Sequence, residues 1–170
     1  MVSHPEGINM EDLKIGKGSI SIWALIGCAG GILALVSMFL AIADYEGMSL
    51  TGTELLKQKA DGVEIQHLTF WRLMPLITAI LGALTFILGI LPVCGVNSPV
   101  VKILFIVCGV ATFVCGLLVM IFTSGTAILE KDYRPSGFHP DKMIGAYYAL
   151  IGGIIAACGA ICSLLIKKKA

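Results

Sequence analysis

The side chains that could bind a metal or carry out acid–base chemistry are few and lie outside the apolar parts of the chain. His139 stands near Asp132 and Asp141, and imidazole together with carboxylates can hold a divalent metal. These residues lack the spacing that places zinc ligands on one helix face, and acidic loops commonly face water. Serine, histidine and aspartate are present without a G-x-S-x-G motif or a glycine-rich phosphate loop. We therefore predict no catalytic residue, no metal site and no cofactor.

Cysteines are the other candidates for chemistry. Neither of the two larger loops contains one, whereas a disulfide framework would place them there. Two of them, Cys158 and Cys162, share a helix face but have no histidine or carboxylate nearby in sequence. We predict that the thiols are small packing residues. The six are Cys28, Cys94, Cys108, Cys115, Cys158 and Cys162.

Four long apolar segments are the elements that must position everything else. None of them contains Asp, Glu, Lys, Arg or His, and each approaches or exceeds the roughly 20 residues that a helix needs to cross a bilayer. A soluble bundle would need a polar stripe on each helix, and residues 101–129 offer none. The sequence predicts an all-α membrane protein with four spans. They are Ile22–Ala43, Leu73–Leu91, Ile103–Thr123 and Met143–Ile166.

The remaining pieces are too short for a soluble domain of ordinary size. They are an N-terminal tail (1–21), a first outer loop (44–72), a tight turn (92–102), a second outer loop (124–142) and a basic C-terminus (167–170). Lysines are densest beside the membrane at the two termini, so we predict both termini in the cytoplasm and both larger loops outside it. The net charge of +1 gives no indication of nucleic-acid binding.

Local signals predict structure in two of these pieces. In the first outer loop, Met48 to Leu50 can form a short strand, and Thr51 with Glu54 has the spacing of a capping box. We expect short strands and a helical turn that together form a small cap on the bundle. In the tail, we expect a short surface helix that dips Leu13 and Ile15 into the headgroups.

Small residues recur in the spans at alternating steps of four and three. Lipid tails are as apolar as leucine, so membrane helices associate by close packing, which small residues allow. An average repeat of 3.5 residues predicts a left-handed four-helix bundle. The predicted packing and interface residues are Gly27, Gly31, Gly82, Gly89, Gly145, Ala149, Gly152, Gly153, Ala156, Ala157, Gly159 and Ala160.

The fourth span carries a second face of small residues: Ala146, Gly153, Ala157 and Ala160. One such face is enough for packing inside the bundle. The second is expected to contact another subunit, or else both faces are used within one chain by neighbours on either side. The sequence leaves these two alternatives open.

The layout resembles the claudin-type tetraspan arrangement, in which the first outer loop is the larger. The paired loop cysteines and the tryptophan-glycine-leucine-tryptophan motif of that group are absent, so the resemblance is one of topology and no residue role is carried over from it.

Two classes of function fit the sequence. The first is a non-catalytic interaction protein in the lipid bilayer, an accessory or scaffold subunit that forms a homo-oligomer or binds a membrane protein partner. The second is a small transporter or channel for a neutral or lipidic solute. A solute path usually needs broken helices or polar groups at mid-depth. Only Ser37, Thr78, Thr85 and Thr112 are available there, and hydroxyls commonly bond their own helix.

Overall fold

A computed structural model describes residues 12–15, 18–45, 48–60, 63–64, 69–92, 94–96, 98–124 and 141–165. This part of the chain is mostly helical. Four of its helices are long and apolar enough to cross a membrane, which makes this a multi-pass membrane protein. The helices are α1 (Ile22–Val36), α2 (Gly52–Lys57), α3 (Met74–Ile90), α4 (Pro99–Ser124) and α5 (Ile144–Leu165), with 3₁₀ turns at Ser37–Phe39 and Phe70–Leu73.

The four long helices form one bundle in which each helix packs mainly on two others. Helix α1 contacts α3 and α5, and α4 contacts the same two helices. The pairs α1–α4 and α3–α5 lie across the bundle and touch little. Neighbours in sequence are therefore neighbours in space, and α5 closes the bundle by packing on α1.

Short antiparallel strands lie at both ends of the bundle. They are β1 (Asp12–Ile15), β2 (Gly18–Ser21), β3 (Ala41–Tyr45), β4 (Met48–Thr51), β5 (Lys59–Ala60), β6 (Val63–Glu64) and β7 (Asp141–Lys142). We call the end with β1, β2, the α3–α4 connection and the C-terminus the turn end. The opposite end, with α2 and β3 to β7, is the sheet end.

A three-stranded sheet joins the two longer connections, α1 to α3 and α4 to α5, at the sheet end. Its strand order is β4-β3-β7, and Ala43 and Asp44 of β3 pair with Lys142 and Asp141 of β7. The Met143 N–H continues this contact by donating to the Ile42 carbonyl at 3.1 Å. The start of α5 is thereby tied to the chain that leaves α1.

The first helix is shorter than the sequence predicts. It ends at Val36, and Ala41–Ala43, which the prediction places in the span, belong to β3. Gly145 packs on this extended backbone: a Cβ built on Gly145 would lie 2.7 Å from the Ala41 carbonyl oxygen. Ile42 and Ala43 are apolar because they are buried in the protein.

The third long helix begins earlier than predicted, at Pro99 instead of Ile103. Proline suits the first position of a helix because its missing N–H has no partner there in any case. The Ser98 hydroxyl accepts a hydrogen bond from the Val100 N–H at 3.3 Å. The observed α3 and α5 differ from the predicted 73–91 and 143–166 by one residue at each end, and residue 166 lies outside the described part.

Helix α2 forms where the capping box was predicted. The Thr51 hydroxyl accepts from the Glu54 N–H at 3.2 Å, and the Glu54 carboxylate accepts from the Thr51 N–H at 2.7 Å. The helix rests on the bundle: a Cβ on Gly52 would come within 2.9 Å of the Met38 carbonyl oxygen and of Pro75. Leu55 is buried beneath it.

The N-terminal tail differs from the prediction. Asp12–Ile15 and Gly18–Ser21 pair as an antiparallel hairpin, with Leu13 opposite Ile20, where a surface helix was expected. Glycines at positions 16 and 18 favour a tight turn over a continuous helix. Ser21 then caps α1 by accepting from the Trp23 N–H at 3.2 Å. The predicted strand at Val63–Gln66 is described only at Val63–Glu64.

Replacing Thr51 by Ala tests the role of the capping box. Loss of an N-cap costs about 1 kcal/mol, so amide hydrogen exchange across residues 52–57 is expected to speed up about fivefold. The control is Ser49→Ala, which changes an exposed hydroxyl on the neighbouring strand. Equal exchange rates in the two variants would show that α2 is held by its packing alone.

Candidate functional site

The residues predicted to pack the helices are all buried in the bundle. On α5, the small side chains place its backbone directly against α1. A Cβ built on Gly152 would lie 2.6 Å from the Ala34 nitrogen, and one on Gly159 would lie 2.6 Å from the Gly27 Cα. Real Cβ atoms do not approach other atoms this closely, so these positions accept only glycine without moving the helices.

The two glycines of the G-x-x-x-G segment in α1, Gly27 and Gly31, pack against different helices. Gly27 faces α5, whereas a Cβ on Gly31 would lie 2.6 Å from the Gly82 carbonyl oxygen of α3. Gly82 in turn faces the Gly31 carbonyl oxygen at the same distance. Helix α1 therefore lies close to two helices at once, and Gly89 of α3 packs on Cys28 and Phe105.

The second small-residue face of α5 packs on α4 of the same chain. A Cβ on Gly153 would lie 2.6 Å from the Phe113 Cα, and Ala160 is buried in a cluster with Ala24 and Phe105. Ala146 is likewise fully buried. Of the two alternatives that the sequence left open, the structure places both faces inside one chain, so this face is not the free subunit contact that we expected.

Further close contacts involve Gly30, Gly109 and Gly116, which belong to the small-residue repeats of the first and third spans, and also Gly52. Gly30 lies against the Gly152 carbonyl oxygen, at 2.6 Å from a built Cβ, and Gly109 lies against the Ala156 carbonyl oxygen, at 2.9 Å. Gly116 faces the Ala149 backbone. The recurrence of small residues in these spans was a signal for them. Gly52 had no such signal, because its role depends on where α2 comes to rest.

The buried hydroxyls of the bundle are all hydrogen-bonded within their own helices. Ser37 donates to the Ala34 carbonyl, Thr78 to Met74, Thr85 to Leu81 and Thr112 to Cys108, at 2.6–2.8 Å. Thr85 and Thr112 also approach each other at 3.2 Å between α3 and α4. Within the described residues, no buried side-chain oxygen or nitrogen lacks a partner.

In the described part, the thiols form no disulfide and the polar residues form no group that could hold a metal ion. All six cysteines are free, and Cys28 lies 3.6 Å from the Phe86 carbonyl oxygen. Among the described residues, no three of His, Cys, Asp and Glu are grouped to hold a metal ion. His139 and Asp132, two of the metal candidates in the sequence, lie outside those residues.

Aromatic rings mark the sheet end of the bundle. Trp71 stacks on Phe122 with ring centroids 3.5 Å apart and planes at 18°, which joins the start of α3 to the end of α4. Phe39 and Phe70 are about two-thirds exposed. Tryptophan and tyrosine are enriched at the membrane–water interface, so the position of Trp71 at the sheet end is consistent with that layer.

Comparison with known proteins gives no family and no relative. No protein family, no curated protein and no solved structure matches this chain. The functional argument therefore depends on the residues and contacts described above.

Replacing Gly153 by Leu tests whether this face packs within the chain. The larger side chain forces α4 and α5 apart, and overpacking of this kind costs about 1–3 kcal/mol. We expect the unfolding midpoint in detergent to fall by about 5 °C. Ile154→Leu is the control, since Ile154 is exposed on the neighbouring surface. A variant that dissociates into monomers with an unchanged midpoint would instead identify a subunit contact.

Proposed function

We propose that this protein is a non-catalytic interaction protein of the membrane, an accessory or scaffold subunit that associates with copies of itself or with another membrane protein. The observation that carries this proposal is the filled interior of the bundle. At Gly30, Gly31 and Gly153 the backbones touch without intervening side chains, so little space remains between the helices for a substrate or a solute.

The polar groups of the bundle also favour an interaction protein over a transporter or an enzyme. A transported solute needs donors or acceptors along its path, and those in the bundle are engaged: each of the four buried hydroxyls bonds a carbonyl of its own helix. An enzyme would need a cluster of titratable or nucleophilic groups. The described residues bring none together as a metal site, and the interior hydroxyls lack an adjacent base.

We further propose that the bundle is left-handed and capped at the sheet end. The exposed residues of α5 repeat at steps of three and four, an average of 3.5 that matches a left-handed supercoil. They are Ile144, Tyr147, Ile151, Ile154, Cys158, Ile161, Leu164 and Leu165, the last two being adjacent at the end of the helix. The cap is the sheet together with α2, and its contact through Gly52 closes the outer ends of α1 and α3.

Transport of a small neutral or lipidic solute is the second candidate function. One feature favours it: the chain after α1 is not helical, since the 3₁₀ turn at Ser37–Phe39 leads into buried β3. Interrupted helices often line solute sites. Here the interruption is occupied by Gly145 and by strand pairing, so we rank transport below interaction.

Orientation is the first part of the proposal to test. We expect both termini in the cytoplasm and the sheet end outside, because lysines are densest at the turn end. Single cysteines at positions Ser3, Lys57 and Ser136, in a variant without native thiols, are labelled on intact cells with an impermeant reagent. Positions 57 and 136 are expected to react and position 3 is not. The reverse pattern would invert the topology.

Association is the second part. Protein purified in mild detergent and in nanodiscs is analysed by native mass spectrometry, and we expect at least two copies of the chain or a second polypeptide at fixed stoichiometry. An unrelated four-span protein from the same membranes controls for non-specific capture. A single chain without a partner in every detergent and nanodisc would contradict the proposal and favour transport.

A further inference from the structure

Helix α2 lies across the ends of two neighbouring membrane helices. Its first residue, Gly52, rests on the Met38 carbonyl oxygen and on Pro75 of α3, since a Cβ built there would lie 2.9 Å from each. The six residues of α2 extend over about 9 Å at 1.5 Å per residue, which matches the separation of about 8–10 Å between packed helix axes. The helix also contacts both 3₁₀ turns. It therefore runs from the turn after α1 to the turn before α3.

This short helix has a buried face and an open one. Gly52 and Leu55 are buried against the bundle, whereas Leu56 and Lys57 are exposed. Directly after the helix, the side-chain oxygen of Gln58 accepts hydrogen bonds from the guanidinium of Arg72 in the turn before α3. Both ends of α2 are thus held, and the side with Leu56 and Lys57 is directed away from the protein.

Three apolar side chains are exposed around α2, and we call them the α2 patch. Phe39 and Phe70, one in each 3₁₀ turn, are 64% and 63% exposed, and Leu56 is 36% exposed. Full burial of a side chain such as phenylalanine or leucine is worth about 1.5–3 kcal/mol. Exposed apolar residues that are grouped together mark a surface that binds something.

The α2 patch continues the surface that faces lipid. Exposed residues of α1 recur at steps of three and four, and Phe39 is the next position in their series, which is Ile26, Ala29, Ile32 and Val36. Phe70 precedes α3, whose exposed side carries Ile80, Leu84 and Ile87. Leu56 lies on α2 between these two series. The apolar outer surface of α1 and α3 therefore extends past both α-helices and onto α2.

The free charges beside the α2 patch are basic. Lys57 is exposed next to Leu56, and Arg72 follows Phe70 by two residues. The one acidic residue in α2 and its two flanking turns is Glu54, whose carboxylate accepts from the Thr51 N–H and hydroxyl. Long basic side chains can lay their stems along an apolar surface and keep their charge among polar groups. An apolar surface with a positive border is complementary to phospholipid, because lipid phosphates lie directly outside the acyl chains.

We propose that the α2 patch binds the acyl chains of phospholipids, so that α2 lies in the membrane surface as an interfacial helix. Surface helices that carry Phe and Leu on one side and basic residues on the other bind membranes in this way. Lipid fits better than a protein partner because the patch is continuous with the lipid-facing surface of α1 and α3. This binding depends neither on the association proposed above nor on the orientation of the chain.

The test measures the depth of the patch in a bilayer. Single cysteines, in a variant without native thiols, are labelled with a nitroxide, and the protein is placed in phosphatidylcholine nanodiscs. Electron paramagnetic resonance then measures how often each label collides with O₂, which concentrates among acyl chains, and with a water-soluble nickel chelate. Labels in the patch are expected about 5–10 Å below the lipid phosphates. The variants are Phe39→Cys, Leu56→Cys and Phe70→Cys.

Two further positions calibrate the measurement. Lys57→Cys is the matched control on the same helix, and its label is expected at or above the phosphates because the lysine head remains among polar groups. Ile80→Cys, on the exposed side of α3, gives the reference for a label deep among acyl chains. All five side chains are exposed, so no label needs space inside the bundle.

Two outcomes would overturn the proposal. Patch labels that meet the nickel chelate as often as the label at position 57 would place α2 in water. Patch labels that are immobilised and shielded from both reagents would show that protein, such as a second copy of the chain, covers the patch.

Discussion

The fold depends on how closely helix backbones approach one another. Inside a bilayer, two helices gain nothing by hiding apolar side chains from lipid, so their association depends on contacts between well-packed atoms. Each such contact contributes only about 0.1–0.2 kcal/mol, and many are needed. Glycine multiplies them because it lets one backbone rest on another. Gly31 with Gly82, and Gly27 with Gly159, are such contacts.

Helix α5 packs closely on two neighbouring helices. Its small residues are distributed over two adjacent faces, one against α1 and the other against α4. A helix with one smooth face could join only one neighbour this closely. Two faces allow α5 to hold the beginning and the middle of the chain together, and this explains why its large aliphatic side chains are confined to the surface that remains.

A similarly close backbone contact is found at the sheet end. Gly145 brings the start of α5 close to the Leu40 and Ala41 carbonyl oxygens, where α1 has already ended and β3 begins. The chain becomes extended, and its backbone polar groups must then find partners within the protein, because lipid offers none. Strands β4 and β7 and the Met143 N–H supply them. The contact between Gly145 and the chain that leaves α1 thus lies directly beside the three-stranded sheet.

The sequence predicted the number of spans, because hydropathy is a local signal. Small-residue spacing, a second local signal, indicated glycines that the structure buries between helices. The sequence also predicted the capping box of α2, which is now confirmed. It did not predict the end of α1, since Ala41–Ala43 are as apolar as the span itself and their strand depends on pairing with β4 and with distant β7. Nor could the sequence show which helix packs on the second small-residue face of α5. The same spacing of small residues occurs whether the neighbouring helix belongs to the same chain or to another.

Because the chain is made from its N-terminus onward, the contact between α1 and α5 is among the last to form. Helix α1 leaves the ribosome first and α5 last, and strand β7 is made just before α5. The glycine face of α1 and the inner edge of β3 therefore lack their partners until nearly the whole chain has been synthesised. Until then, the apolar side chains of α1 keep it in the bilayer, and α3 is its only closely packed neighbour. A chain truncated before β7 and α5 would therefore leave the glycine face of α1 and one edge of β3 without their partners.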